Sequence, residues 1–342
     1  MRGTVLRGPR EVELCDLPVP RVHGPRDAVI RVTASAICGT DLHPYRGELP
    51  GFGVGTVLGH EFAGVVEDAG DEVAHLTGRR VVASDLVACG RCRMCQRGWH
   101  YQCPEVTLFG YSTVVGRSID GGQAEYVTVP FADVVLAECP DELTDEQALF
   151  TGDVLATGYT AAERAEIPLG GTVAVIGAGT VGLLAGMCAR ARGAATVVIA
   201  DPSAARRTAA EAQGFIAVRP EQLASHGSAQ SVIEAVGSDD ALRLAVETAA
   251  PRGTIVAIGA HHSDAAPLNS GHAFARELTL RFAVGDPIAV WPEVFALVRT
   301  GRVDPAAVIS HRLPLAEVGR GYELFDRREA TKVVLLCSDV AG

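Results

Sequence analysis

The sequence predicts an α/β chain of two domains, one mainly β and mostly antiparallel, the other a doubly wound parallel sheet. Three observations carry this. The first 150 residues hold short apolar runs punctuated by Gly, Pro and Asp, the texture of brief strands and turns. From Gly170 onward, charge-free strand patterns alternate with helical ones, as in a parallel sheet covered on both faces. The chain is 342 residues long and 48% hydrophobic, enough to bury two cores.

In order, residues 1–20 alternate apolar and charged positions in strand fashion, and further strands are expected at 28–34, 62–67, 80–83 and 123–129. A helical pattern runs from Thr144 to Leu149, passes Gly152-Asp153 and resumes over 154–164. The second domain opens with a strand at 172–176 and continues with strands at 195–200, 231–236, 253–258 and 278–283 and a helix at 240–249. After Gly285-Asp286-Pro287 the chain leaves that domain for helices at 291–299 and 315–326 and a last strand at 332–336. The window 172–189 carries no charge, but its four glycines and early alternation suit strand, turn and buried helix better than a membrane span.

The formal charge is −11 and the basic residues form no patch, which argues against a nucleic-acid partner or an anionic membrane surface. The first 20 residues lack the apolar core of a signal peptide, so the cytoplasm is the expected compartment. Nine cysteines there favour thiolate or metal chemistry over disulfides.

Two cysteine-bearing stretches stand out. Cys38-Gly39-Thr40-Asp41-Leu42-His43, followed by Gly59-His60-Glu61, offers a thiolate, an imidazole and carboxylates. Zinc accepts these donors, and a catalytic zinc uses three protein ligands and leaves a position open. A buried thiol and a core histidine are the plainer alternative. Cys89, Cys92, Cys95 and Cys103 have the spacing C-x2-C-x2-C-x7-C, which suits a closed tetrahedral zinc of structural role, with disulfide pairing as the alternative. Asp153 lies among Leu149, Phe150, Val154 and Leu155, where a carboxylate needs a purpose, either a helix cap or a metal.

The strand at 172–176 runs into Gly177-Ala178-Gly179-Thr180-Val181-Gly182 and a helix, and the next strand ends at Asp201. This is the context in which a glycine-rich turn cradles a pyrophosphate at a helix N-terminus. Asp201 would bond the adenosine ribose hydroxyls and repel a 2′-phosphate, favouring NAD, while Arg206 or Arg207 could meet such a phosphate.

Taken together, the Cys38 to His43 stretch, Gly59-His60-Glu61, the four-cysteine lobe and the mid-chain glycine motif resemble the zinc-dependent medium-chain alcohol dehydrogenases over nearly the whole chain. The resemblance implies a GroES-like catalytic domain (1–153 and 288–342) enclosing a Rossmann domain (154–287). It implies Asp153 as third ligand of the catalytic zinc, beside Cys38 and His60, with Glu61 approaching during ligand exchange or pairing with a cation. It implies a proton relay from Thr40 to His43 and a homodimer or homotetramer. Asp41 is a candidate partner for His60, and Lys332 stands where the family places a basic residue near the cofactor pyrophosphate, although a surface lysine is as ordinary.

The substrate is expected to be a small alcohol or its carbonyl counterpart. Ser84, Asp85, Tyr45, Arg46, Phe109 and Tyr111 are candidate pocket residues, and Asp85 and Arg46 hint at a polyol, sugar or amino-alcohol. The competing readings are a zinc-independent reductase of the same superfamily, which would lack the Cys38, His60 and Asp153 trio, and a non-catalytic nucleotide-binding homologue.

Overall fold

The computed structural model describes residues 1–261 and 265–337, which fall into two compact units. The first comprises Met1–Asp153, Asp286–Arg299 and the residues from Ile309. Strands β1 (Arg2–Gly8) and β2 (Glu11–Asp16) form an antiparallel hairpin. The main sheet is built on the long β3 (Ala28–Ile37), which pairs antiparallel with β4 (Phe62–Ala69). Outward from β4 lies β5 (Arg80–Ala83). A short pair, β6 (Leu86–Val87) with β7 (Thr107–Leu108), brackets the cysteine lobe. Then β8 (Tyr126–Val129) joins β3, and β9 (Leu136–Glu138) closes the sheet on β5. From the far end of the chain, Val333–Leu336 pairs antiparallel with the end of β3, and His311–Pro314 lies parallel outside it. Leu58, Phe62, Phe109, Ile30 and Tyr322 are fully buried in the core of this unit, so the first and last segments of the chain share one hydrophobic interior.

The second unit, Val154–Gly285 with Thr300–Val308, is a six-stranded sheet parallel throughout. Its strands are β10 (Thr172–Ile176), β11 (Thr196–Ala200), β12 (Ile216–Val218), β13 (Ala229–Glu234), β14 (Ala249–Ala257) and β15 (Thr279–Phe282). The spatial order β12-β11-β10-β13-β14-β15 reverses between β10 and β13. Ligands bind such sheets at the carboxyl ends of the strands beside that reversal. The segment Thr300–Val308 packs with this unit, whereas the sequence pattern had given everything after 287 to the other. The charge-free window resolves into β10, a turn and the helix Thr180–Ala191, and no helix of the described residues is long and apolar enough to cross a membrane.

Candidate metal and dinucleotide sites

Three pieces of the first unit converge. Cys38 follows β3, His60 and Glu61 precede β4, and Asp153 ends the turn Phe150–Gly152. One donor atom from each of these four residues lies within 4.8 Å of the others. Cys38 Sγ is 3.7 Å and His60 Nε2 is 3.3 Å from the same oxygen, Asp153 Oδ2. Ordinary zinc bond lengths at tetrahedral angles place S and O about 3.5 Å apart and N and O about 3.3 Å apart. The donor set fits the ion as it stands, and Asp153, for which a helix cap was the alternative, faces the cluster.

The charges here are mutually dependent. Burial works against a charged His60, but the Asp41 charge and hydrogen bonds to Asp153, Asp41 and Cys38 outweigh it and hold the imidazole well above its ordinary value. Burial likewise opposes a charged Asp153, yet hydrogen bonding and charge from His60 keep its carboxyl below the usual range. Burial pushes the Cys38 thiol up, partly offset by Lys332. An incoming dication replaces the protons on such ligands.

Lys332 corrects the expectation placed on it. It is neither on the surface nor free for a phosphate: it is completely buried, its Nζ donates to Glu61 Oε1, and it lies 5.7 Å from the Phe150 ring centroid. Glu61 thus has its cation, while its Oε2 has no hydrogen-bond partner among the described residues.

The four lobe cysteines form the second donor cluster, and none is in a disulfide. Sulfur separations of 4.0 Å (Cys89 to Cys95), 3.5 Å (Cys92 to Cys95) and 3.9 Å (Cys92 to Cys103) bracket the roughly 3.8 Å expected around a zinc with 2.3 Å Zn–S bonds. Backbone N–H groups of Arg91 and Cys92 point at Cys89 Sγ, and those of Cys89 and Glu105 at Cys103 Sγ. The Cys95 N–H is the largest cause that lowers Cys92 to about 7, whereas burial pushes Cys95 far up. His100 ties this lobe down by pairing with Asp286 at 2.9 Å, a long-range contact with no local sequence signal.

Thr40 Oγ1 is 3.9 Å from Cys38 Sγ, and His43, on the short helix Leu42–Tyr45, is half-buried with Nδ1 2.7 Å from Glu48 Oε2. Of the pocket candidates, Phe109 instead packs edge-on against Phe62 in the core, Tyr45 stacks on Tyr322, and the Arg46 guanidinium is taken by Asp326. Ser84, Asp85 and Tyr111 remain. Tyr111 Oη donates to the Thr40 carbonyl. Burial, then the Asp153 charge, pushes the Asp85 carboxyl well above the usual range, and Ser84 Oγ donates to it at 3.3 Å.

In the second unit, Gly177 has φ +100°, a conformation that favours glycine, and a Cβ on Gly182 would sit 1.9 Å from the Gly177 carbonyl oxygen. Gly179 opens the helix Thr180–Ala191, and a side chain there would meet little beyond Arg206 Nη1 at 4.0 Å. Thr180, Val181 and Gly182 form the first turn, so the leading backbone N–H groups and the positive end of the helix face one spot. Asp201 directly follows β11 and accepts N–H bonds from Ala178 at 2.9 Å and Ser203 at 2.8 Å, tying the loop to the strand end. Arg206 Nη1 lies 3.8 Å from Asp201 Oδ2. Arg207 Nη1 donates to the carbonyls of Asp201 and Pro202.

A dinucleotide-type loop on one unit and an oxygen, nitrogen and sulfur donor trio on the other are the equipment of a metal-dependent oxidoreductase. Comparison with known proteins makes the class specific. Residues 24–141 match the alcohol dehydrogenase GroES-like domain and residues 180–300 the zinc-binding dehydrogenase domain. The chain is 37% identical over 330 residues to a probable zinc-binding alcohol dehydrogenase of Mycobacterium tuberculosis, covering 94% of this chain and 84% of that one. The solved alcohol dehydrogenase TADH from Thermus sp. ATN1 superposes with a TM-score of 0.94 at 37% identity, covering 99% of this chain and 100% of that one. A zinc-binding dehydrogenase from Sinorhizobium meliloti, solved with NADP, gives a TM-score of 0.85 at 30% identity over 98% of each chain. The chain belongs to the zinc-dependent medium-chain alcohol dehydrogenase family, with a GroES-like domain and a Rossmann-type domain. It is an NAD(P)-dependent oxidoreductase acting on an alcohol or its carbonyl counterpart.

Proposed function

We propose that this chain oxidises a polar alcohol with NAD, using a catalytic zinc held by Cys38, His60 and Asp153 and a structural zinc held by Cys89, Cys92, Cys95 and Cys103. The observation that carries this reading is the convergence of Cys38, His60 and Asp153 from three separate segments, at separations a tetrahedral ion requires. When bound, zinc acts as a Lewis acid that makes an alcohol hydroxyl easier to ionise, much as it brings water toward a pKa of about 7. Alcohol oxidation moves a proton from oxygen and a hydride from carbon to the nicotinamide, and the chain's own groups serve the proton. Thr40, two residues past Cys38, accepts the hydroxyl proton as it passes its own hydroxyl hydrogen on toward His43, which, half-exposed and backed by Glu48, releases a proton to solvent. Glu61, paired with Lys332 and with a donor atom beside the cluster, is a reserve ligand during exchange.

The turn Gly177 to Gly182 holds the pyrophosphate on backbone N–H groups. Asp201, whose carboxylate keeps lone pairs beyond its two backbone bonds, holds the adenosine ribose and disfavours a 2′-phosphate, which is the basis for NAD. The nearby Arg206 is what an NADP preference would use. Buried Asp85 with Ser84 and Tyr111 favours a polyol, sugar or amino-alcohol over an apolar alcohol. The working form is a homodimer or homotetramer in the cytoplasm.

Kinetics with ethanol, benzyl alcohol, sorbitol and an aminocyclitol, each with NAD and NADP, test the reading. Highest kcat/KM for a polar alcohol with NAD is expected. Preference for the apolar pair refutes the substrate class, and equal rates with NADP refute the role of Asp201.

A further inference from the structure

Asp41 lies against both Cys38 and His60. Its Oδ2 accepts the Cys38 backbone N–H at 2.9 Å, and its Oδ1 lies 3.4 Å from His60 Nδ1. What holds Asp41 comes from two distant parts of the chain. Gln123 Nε2 donates to Asp41 Oδ2 at 3.4 Å and to the Ala36 carbonyl at 3.1 Å, and Gln123 Oε1 accepts the Tyr322 hydroxyl at 3.0 Å. Both amide hydrogens therefore face acceptors and the amide oxygen faces a donor. Flipping the amide would turn its oxygen against a carboxylate and a carbonyl. The Gln123 backbone is pinned as well, bonding Thr4 N–H through its carbonyl and the Leu58 carbonyl through its N–H. Gly59 makes room for it: a Cβ there would sit 2.4 Å from Gln123 Cγ, and its φ is +96°. Tyr322, on the helix Val318–Asp326, is fully buried and stacks on Tyr45 at 4.9 Å.

We propose that Gln123 and Tyr322 are positioning residues of the metal centre: the chain Tyr322 to Gln123 to Asp41 fixes the carboxylate that orients His60 and anchors Cys38. An amide and a phenol, both without charge, are spent in a fully buried place where apolar side chains would pack as well. Their hydrogen bonds end on Asp41, which accepts the Cys38 N–H and lies 3.4 Å from His60 Nδ1. Partners of this kind around a ligand histidine affect metal affinity about 10- to 100-fold. The inference rests on the Cys38, His60 and Asp153 cluster holding zinc.

The test is Tyr322→Phe, which keeps the stacked ring and removes only the hydroxyl, alongside Asp41→Asn, the double variant and Gln123→Leu. Zinc is titrated against a chelator of known affinity, with the unfolding midpoint and the cobalt-substituted visible spectrum read in parallel. Tyr322→Phe is expected to weaken the cluster zinc about tenfold and shift the cobalt bands while leaving the four-cysteine zinc untouched. In the Asp41→Asn background it should add nothing, because it acts through Asp41. An affinity within twofold of wild type with only a lower midpoint would mean a packing role and overturn the inference, as would an undiminished effect in the double variant. If Gln123→Leu does not fold, Tyr322→Phe decides alone. A wild-type chain that binds only the four-cysteine zinc would sink the underlying reading, a result distinct from a Tyr322→Phe that leaves both zincs tight.

Discussion

Replacing Lys332 by Met should cost far more than a surface lysine would. Lys332 and Glu61 are both completely buried, and the ammonium bonds Glu61 Oε1. Breaking a buried pair by deleting one partner costs roughly 3–5 kcal/mol, because the survivor is left charged without compensation. Glu61 has one escape. Burial already pushes its carboxyl up against the pull of Lys332, so in Lys332→Met it moves higher still and takes a proton. A carboxyl raised above its unfolded value stabilises fully below the unfolded value and loses that contribution as pH rises through the folded one. The destabilisation should therefore be small at acid pH and grow through neutrality. Urea unfolding of wild type, Lys332→Met, Glu61→Gln and the double variant, at equal zinc loading and at pH 5 and pH 8, reads it. The double variant should regain most of the loss, because neither charge remains. A loss under about 1 kcal/mol at pH 8 for Lys332→Met, or a double variant no better than it, would show that Lys332 does not stabilise the fold by compensating the Glu61 charge.

Three further outcomes follow from the geometry. Thr40→Val should lower kcat/KM by roughly 10²- to 10⁴-fold while NADH titration by fluorescence is unchanged, since only the proton path is lost. Asp201→Ala removes the acceptor for the Ala178 and Ser203 N–H groups, and at about 1.5–3 kcal/mol for bonds to a charged group NADH binding should weaken at least tenfold, with NADPH affected less. In protein stripped of zinc, iodoacetamide at pH 7.5 should label Cys92, lowered to about 7, well before Cys95, which peptide mass spectrometry can order.

Much of this site was legible in the sequence because its parts are local. The four lobe cysteines fall within 15 consecutive residues, and Gly177 to Gly182 sits between a strand and a helix whose periodicities are plain. The family resemblance supplied Asp153, which local pattern alone left balanced between cap and ligand. Contacts between distant residues were not legible. Lys332 reads as a surface lysine at the start of a strand, and only its antiparallel pairing with β3 brings that segment beside Glu61. Gln123 and Tyr322, 199 positions apart, sit inside patterns that equally suit any buried strand and helix. Arg46 looked like a pocket group because Asp326, which holds it, is 280 positions away. The strand His311–Pro314 is too short and too polar to announce itself before its partner is known.

The proposed chemistry requires one zinc gripped by Cys38, His60 and Asp153 and another gripped by the lobe cysteines. Anomalous diffraction at the zinc edge on crystals of the full chain measures this directly. Two peaks per chain are predicted, one about 2.3 Å from Cys38 Sγ and about 2.0 Å from His60 Nε2 and an Asp153 oxygen, the other at the centre of the four sulfurs. A single peak at the lobe, from zinc-replete crystals, would contradict it.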